Sequence, residues 1–254
     1  MVGRKSEAIH RLDFIVAGAQ KSGTTAFHHF LSKNSDVCLP AQQELHFFDD
    51  EEVFSKQPVD YEKLHKHFNP RGSAKICGES TPNYLYWPTA MERIWEYNSQ
   101  IKLIILLRNP IDRAFAHWNM QRFKKREPYD FLDALREEAG RTAKPLSIEA
   151  RRFAYVGRGF YAQQLDRVFK FFPRTQVKIT KFENFRDGKE KALNSIFEFL
   201  DVRPLAVIHD KDRNVVPYER EMTRDERKYL FRIFESEIGK LERMLGWDCS
   251  DWRF

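Results

Sequence analysis

Phe14-Ile-Val-Ala-Gly-Ala-Gln-Lys-Ser-Gly-Thr-Thr-Ala-Phe27 joins an apolar run to a small-residue loop bearing one lysine, and the loop to a helix-forming stretch. Leu12 to Val16 are apolar apart from Asp13 and rich in strand formers, the pattern of a buried parallel strand. Gly18 and Gly23 permit a tight turn, and Ser22, Thr24 and Thr25 are expected to cap a helix running through Phe27, Phe30 and Leu31. A helix starting there turns its unsatisfied N–H groups and the positive end of its dipole into the loop, where Lys21 adds a full charge. The plain alternative is an ordinary strand-to-helix turn with a solvated lysine. Glycines, a lysine and hydroxyls gathered within eight residues favour an anion cradle.

The 254 residues suffice for a single α/β domain, a central parallel β-sheet flanked by helices, and no Pro/Gly/Ser-rich linker divides them. A net charge of +6 favours anionic ligands, yet 43 basic against 37 acidic residues is a mixed surface and argues against a nucleic-acid partner. Cys38, Cys77 and Cys249 are odd in number, widely spaced and without a CxxC pair, which argues against a disulfide framework and a zinc site and for a reducing compartment. Met1 to Arg11 is polar and basic, with the composition of a flexible start and not of a signal peptide or membrane anchor. Cytoplasm is the expected location; a luminal fragment of an anchored enzyme is the alternative.

Further along, Lys102-Leu-Ile-Ile-Leu-Leu-Arg108 reads as the clearest buried strand, ending in an arginine followed by Asn109-Pro110 and a helix with Arg113 in its first turns. An arginine at the carboxyl end of a central strand is costly to bury unless an anion meets it, which makes Arg108 a candidate phosphate ligand. In Glu44-Leu-His-Phe-Phe48, an extended backbone would put Glu44 and His46 on one face beside two phenylalanines, a geometry suited to a base and its partner; the alternative is a solvated surface turn. Glu79 to Pro82 reads as a loop at a strand's end, where α/β sheets place their sites. Asp49 to Arg71 reads as a polar surface segment with His65 and His67 solvated, and Arg141 to Arg152 as an exposed basic excursion. Gly157-Arg158-Gly159 fits a loop or a ligand contact equally, and Lys211 to Tyr218 is a basic loop of the kind that closes over an anion. Phe160 to Phe172 and Leu230 to Leu245 carry helical apolar stripes, the second behind the capping box Thr223-x-x-Glu226. Phe47, Phe48, Tyr84, Tyr86 and Trp87 fit a packed core better than an acceptor pocket.

A magnesium-dependent kinase wants its lysine directly before the metal-holding hydroxyl of GxxxxGK[ST], and an acidic residue ending a later strand. Here Lys21 comes at the fourth position of Gly18-Ala-Gln-Lys-Ser-Gly-Thr-Thr25, and the strand ends in Arg108. The chain instead resembles the sulfotransferases that use 3′-phosphoadenosine 5′-phosphosulfate (PAPS), particularly the branch of heparan sulfate and related bacterial enzymes. Gln20-Lys-Ser-Gly-Thr-Thr25 is similar to the family's 5′-phosphosulfate loop, Leu107-Arg-Asn-Pro-Ile-Asp-Arg113 to its 3′-phosphate block, and Glu44-Leu-His-Phe-Phe48 to the segment with the catalytic carboxylate. Weaker likenesses lie in Glu79-Ser-Thr-Pro82, Arg158-Gly-Phe-Tyr161 and Arg213 to Tyr218.

The resemblance implies a P-loop-like sulfotransferase fold and in-line transfer of a sulfuryl group to an acceptor hydroxyl, leaving adenosine 3′,5′-bisphosphate, with no metal. Lys21 would stabilise the leaving phosphate, Gln20, Ser22, Gly23, Thr24 and Thr25 would bind with it around the 5′-phosphate, and Arg108, with Arg158 and Arg213, would hold the 3′-phosphate. Glu44 or His46 would be the principal base, the other assisting. Ala116 stands where the family's 3′-phosphate block usually has serine, and Ser80 where heparan-type enzymes carry a lysine, which points away from a heparan-like acceptor. The competing functions are a P-loop small-molecule kinase and a non-catalytic nucleotide or sulfated-glycan binding module.

Overall fold

The computed structural model describes residues 11–70, 74–206 and 217–253. The strand β1 (Phe14–Gly18) sends Ile15 and Ala17 into one core and Phe14 and Val16 into another. It lies in a five-stranded sheet with β2 (Val37–Cys38), β3 (Ile76–Ser80), β4 (Lys102–Leu107) and β5 (Val177–Lys181), ordered β2-β3-β1-β4-β5 with every neighbouring pair parallel. β4 alternates in the same way, Leu103, Ile105 and Leu107 against Ile104 and Leu106. Burial on both faces explains why β1 and β4 read as unbroken apolar runs.

The described helices are α1 (Thr24–Leu31), α2 (Glu51–Phe54), α3 (Glu62–His65), α4 (Ala90–Tyr97), α5 (Pro110–Phe123), α6 (Phe131–Arg141), α7 (Ile148–Phe153), α8 (Tyr161–Phe171), α9 (Phe182–Asp187), α10 (Lys189–Leu200) and α11 (Arg224–Leu245). α1, α9 and α10 cover one face through Phe27, Leu31, Phe185, Leu193 and Ile196. The other face is covered by α4, α5, α6, α8 and α11, with Ile94, Trp118, Phe131, Leu165 and Phe234 at its centre. The capping box opens α11 as the sequence indicates: the Thr223 hydroxyl accepts from the Glu226 N–H (3.2 Å), and the Glu226 carboxylate accepts from the Thr223 N–H (2.8 Å). Because the chain runs from β1 out to β2 on one side and from β4 out to β5 on the other, the loops after β1 and β4 part at the carboxyl edge and leave a crevice.

Two expectations give way in part to tertiary contacts. The segment from Asp49 holds two short helices, and Leu64 and Phe68 are buried; His65 is buried too, sharing a hydrogen bond with the Tyr97 hydroxyl (2.8 Å). Within Arg141 to Arg152, Ala143 to Pro145, Ile148 and Glu149 are exposed as expected, but Arg141 pairs with the buried Glu127 carboxylate and Ala150 is buried on α7. Cys38 and Cys77, far apart in sequence, are register partners on β2 and β3 and remain free thiols. No helix among the described residues is long and apolar enough to cross a membrane.

Gly78 of β3 faces the Phe14 ring so closely that an added Cβ would collide with three of its carbons. Gly78→Ala should therefore destabilise the sheet by about 1–3 kcal/mol, the usual cost of overpacking a core. The check is urea unfolding, in which the midpoint falls with an unchanged slope.

Candidate active site

The loop after β1 folds back on itself, the Ser22 N–H donating to the Ala19 carbonyl (3.2 Å) and the Phe27 N–H to the Gly23 carbonyl (3.0 Å). The N-cap of α1 is Gly23, at φ 81°, and no side chain caps the helix. The expected capping by Ser22, Thr24 or Thr25 is thus not made: Gly23 takes the cap position, and both threonines already lie in the first helical turn. A Cβ at Gly23 would come 2.7 Å from the Phe182 ring, so sterics as well as the left-handed backbone require glycine. With no acidic residue in its first turn, α1 presents free N–H groups and its positive dipole end to the crevice.

Cations crowd the same place. Arg108, at the end of β4, donates from Nη1 to the Lys21 carbonyl (3.2 Å) and lies over the Phe182 ring, 5.1 Å from its centroid. The Tyr161 hydroxyl donates to the Arg108 carbonyl (2.9 Å), tying α8 to the strand end. Burial, and then the charges of Arg108 and Lys124, hold the Lys21 pKa below its ordinary value, with Glu44 opposing. Arg113, on the first turn of α5, is fully buried and donates to the Tyr155 carbonyl; its Nε and Nη1 have no partner among the described residues. Its pKa is lowered chiefly by burial. Positive charge held this way, with no carboxylate in contact among the described residues, is an uncompensated cost that an anion relieves.

Across the crevice the segment after β2 brings up carboxylates. Glu44 and His46 are not extended: their φ angles are 56° and 55°, left-handed values on either side of Leu45. The side chains nevertheless meet, His46 Nε2 lying 3.6 Å from Glu44 Oε2. Backbone hydrogen bonds hold this shape, from the Glu44 N–H to the Ser80 carbonyl (3.1 Å) and from the His46 N–H to the Thr81 hydroxyl (3.4 Å). Phe47 and Phe48 anchor it in an aromatic cluster with Phe54, Tyr61, Tyr84 and Tyr97, and Tyr84 accepts from the Phe47 N–H (3.0 Å). Lys21 also has a left-handed backbone, φ 69°, so half of the six described non-glycine residues with positive φ are the three catalytic candidates. Such strain, about 1–3 kcal/mol per residue, persists only where surrounding contacts over-determine it, and it concentrates at functional sites.

His46 has a second partner that the sequence reading passed over. Asp49, wholly buried, accepts from His46 Nδ1 at 2.9 Å. Burial alone would lower the His46 pKa, but hydrogen bonds and charge from Asp49 and Glu44 push it up to about 9. Burial would raise Asp49, yet the imidazolium, Arg151 and Asn83 keep it below its usual value. Glu79, sealed beneath this pair, is raised to about 7 by burial, against hydrogen bonds from Tyr84 and Thr81. Reading Asp49 as the start of a polar surface segment hid it; its position three residues beyond His46 was the available signal.

The structure brings Gln20, Lys21, Ser22, Gly23, Thr24, Thr25 and Arg108 together on one wall and Glu44 and His46 on the other. Arg158 it engages in protein contacts. That side chain is buried at 2% exposure, stacks on the Tyr86 ring and donates to Asn83 Oδ1 (2.5 Å) and the Arg151 carbonyl (2.7 Å), with Arg113 and Asp49 among the charges around it. Arg213 lies outside the described residues. Ala116 is buried within α5, and Ser80 is buried beneath Glu44. Phe47, Phe48, Tyr84 and Trp87 are core residues, as their composition suggests. Among the described residues no three His, Cys, Asp or Glu side chains gather as a metal site.

A sulfotransferase domain profile matches residues 11–215. The chain belongs to the sulfotransferase family. A sulfotransferase crystal structure from Alicyclobacillus acidocaldarius superposes with a TM-score of 0.80 at 28% identity, over 97% of this chain and 100% of that one. The domain is 22% identical to the membrane-associated sulfotransferase kil1 of Dictyostelium discoideum over 93% of its length, and 28% identical to the mouse (Mus musculus) heparan sulfate glucosamine 3-O-sulfotransferase 5 over 75%. It spans 65% and 53% of those two relatives.

The His46–Asp49 pair sets a pH dependence. Folded His46 keeps its proton up to about pH 9, whereas an unfolded histidine releases it near ~6.5. The stabilisation is therefore complete below the unfolded value and is lost as the pH rises through about 9. In urea titrations from neutral to alkaline pH the wild-type midpoint should fall across that window, and His46→Gln should flatten this part of the profile.

Proposed function

We propose that this domain transfers the sulfuryl group of PAPS to an acceptor hydroxyl, and that the acceptor is a glycan, lipid, polyketide or other alcohol. The carrying observation is the pairing, across one crevice, of the half-buried Lys21 and the fully buried Arg113, two of whose nitrogens have no partner among the described residues, with a base whose neighbour is already protonated. The donor set fits a ligand with two separated anionic ends: the α1 N-terminus and Lys21 on one side, Arg108 with the partnerless Arg113 N–H groups on the other. Gln20, Ser22, Gly23, Thr24 and Thr25 would bind the 5′ end with Lys21, and Arg108 the 3′-phosphate.

PAPS supplies an already activated sulfuryl group. What remains for the protein is positioning, a base, and positive charge where negative charge develops. In this reading Glu44 takes the proton of the acceptor hydroxyl as its oxygen bonds to sulfur, and Lys21 meets the charge that grows on the departing phosphate oxygen. Of the two candidate bases, the structure favours Glu44: His46, held as an imidazolium near neutral pH, has no free nitrogen lone pair to accept a proton. His46 then orients Glu44 through Nε2–H. Since Lys21, Arg108 and Arg113 provide the positive charge, the reading needs no metal. A heparan acceptor is not implied by likeness to an enzyme named for it, because Ser80 replaces a lysine of that branch. Three buried free thiols, two of them register neighbours, support a reducing, cytoplasmic setting.

The test combines binding and turnover. Calorimetry with adenosine 3′,5′-bisphosphate should show binding that Arg108→Ala weakens by about 1.5–3 kcal/mol, the value of a charged hydrogen bond. Labelled PAPS with a panel of alcohols, phenols and glycans should give transfer that Lys21→Ala and Glu44→Gln each reduce by about 100-fold or more. Binding of magnesium ATP in place of the bisphosphate would sink the assignment in favour of a kinase, and tight bisphosphate binding without transfer to any acceptor would favour a binding module. Normal turnover by Glu44→Gln would remove only the base assignment.

A further inference from the structure

Asp49 sits at the head of a chain of polar groups that runs away from the crevice into the protein. Its carboxylate accepts from His46 Nδ1 on one side and from the Asn83 amino group on the other. Asn83 Oδ1 accepts from Arg158 Nη2 (2.5 Å), and the same Arg158 nitrogen donates to the Arg151 carbonyl (2.7 Å). Arg151 donates back to the Asp49 carbonyl (2.5 Å), closing a ring around the aspartate. Asn83 is 2% exposed and Arg158 likewise, so water does not substitute for these partners.

Donor and acceptor parity fixes the direction of every bond in this chain. A guanidinium has donors only, so the amide oxygen of Asn83 must face Arg158 and its NH2 must face Asp49. An ionised carboxylate has acceptors only, so it takes both the Asn83 amino group and the N–H of His46 Nδ1. The imidazole is thereby left with Nε2 turned toward Glu44. A rotated amide would set NH2 against guanidinium and oxygen against carboxylate, two repulsive contacts in a buried place.

We propose that Asn83 and Arg158 are positioning residues for proton transfer: Arg158 locks the Asn83 amide, and the amide clamps Asp49 against His46 so that the imidazole holds Glu44. The assignment rests on the sulfuryl-transfer reading for its effect on rate, but not for its effect on His46 itself. It gives Arg158 a task other than holding the 3′-phosphate. Among the described residues His46 faces Glu44 and Asp49 of its own loop and Glu79 of β3, while Tyr84, Arg151 and Arg158 act on Asp49 or Glu79 behind it.

The experiment uses Asn83→Leu, Arg158→Met and the conservative Arg158→Lys. Three readouts are compared: steady-state kinetics with PAPS, calorimetric binding of adenosine 3′,5′-bisphosphate, and ¹⁵N NMR titration of the His46 imidazole in the ligand-free protein. Asn83→Leu and Arg158→Met should each lower kcat about 10- to 100-fold, the cost of loosening a reacting geometry, with bisphosphate affinity unchanged within about twofold. Combined, the two should cost little more than either alone, since they break one chain. His46 should titrate at least about one pH unit lower in both, because an unclamped, buried Asp49 more readily takes a proton and ceases to stabilise the imidazolium. Arg158→Lys, keeping charge and one donor head, should fall between wild type and Arg158→Met and preserves the fold if Arg158→Met does not. Weakened bisphosphate binding by the Arg158 variants would return that residue to the 3′-phosphate and overturn the proposal, as would a wild-type His46 titration in folded Asn83→Leu. If wild type itself transfers no sulfuryl group, the functional reading fails while the His46 titration still decides this one.

Discussion

Positive charge drawn into the carboxyl edge of a parallel sheet, with no carboxylate in contact among the described residues, is the constraint around which this domain is arranged. Lys21 and Arg108 share a hydrogen bond through the Lys21 carbonyl, and Arg113 stands fully buried behind them with two N–H groups unmet among the described residues. In a structure serving only stability such groups would be paired or exposed. Here they are supported from outside the crevice by neutral contacts, the Phe182 ring under Arg108 and the Tyr155 carbonyl at Arg113, which hold the cations in place and leave their charge available. The two-sided sheet makes this possible, since β1 and β4 are adjacent and parallel, with the last residue of β1, Gly18, opposite Ile105 of β4.

The opposite wall solves a different problem, keeping three acidic side chains in three different states within a small space. Glu44 is partly open to solvent, Asp49 is sealed and ionised by its hydrogen bonds, and Glu79 is sealed with its pKa raised. Environment alone separates them, as it does wherever paired carboxylates divide acid and base roles. The loop carrying Glu44 and His46 accepts two left-handed residues to do this, and hydrogen bonds from its N–H groups to Ser80, Thr81 and Tyr84 together with the Phe47 and Phe48 anchors keep it there. Strain of that kind converts packing energy into a fixed geometry before any ligand arrives.

The two walls are linked through the sheet, where β1 pairs with β3 and the Thr81 N–H donates to the Val16 carbonyl (3.2 Å), and also through the core. α5 provides Arg113 on one side, and its Trp118 and Phe115 pack on Phe131 of α6, whose Glu138 in turn accepts from the N–H groups of Val156 and Gly157 and so sets the turn that carries Arg158. Substitutions in that aromatic layer therefore reach the crevice through backbone placement.

What the sequence determined by itself was everything carried by local patterns: apolar runs marking β1 and β4, the glycine-rich turn with Lys21, the arginine ending a strand, the stripe and capping box of α11. These are short-range signals, because strand burial, helix periodicity and cap chemistry are all settled within a few residues. The tertiary structure decided the contacts that join distant segments. Asp49 meeting Asn83 and Arg151, Cys38 beside Cys77, His65 against Tyr97 and Arg158 against Asn83 all depend on which strands lie side by side and on how a buried donor finds an acceptor. Polar side chains look alike in a sequence whether they face water or one another; only the enclosing fold, by removing water, forces each to name its partner.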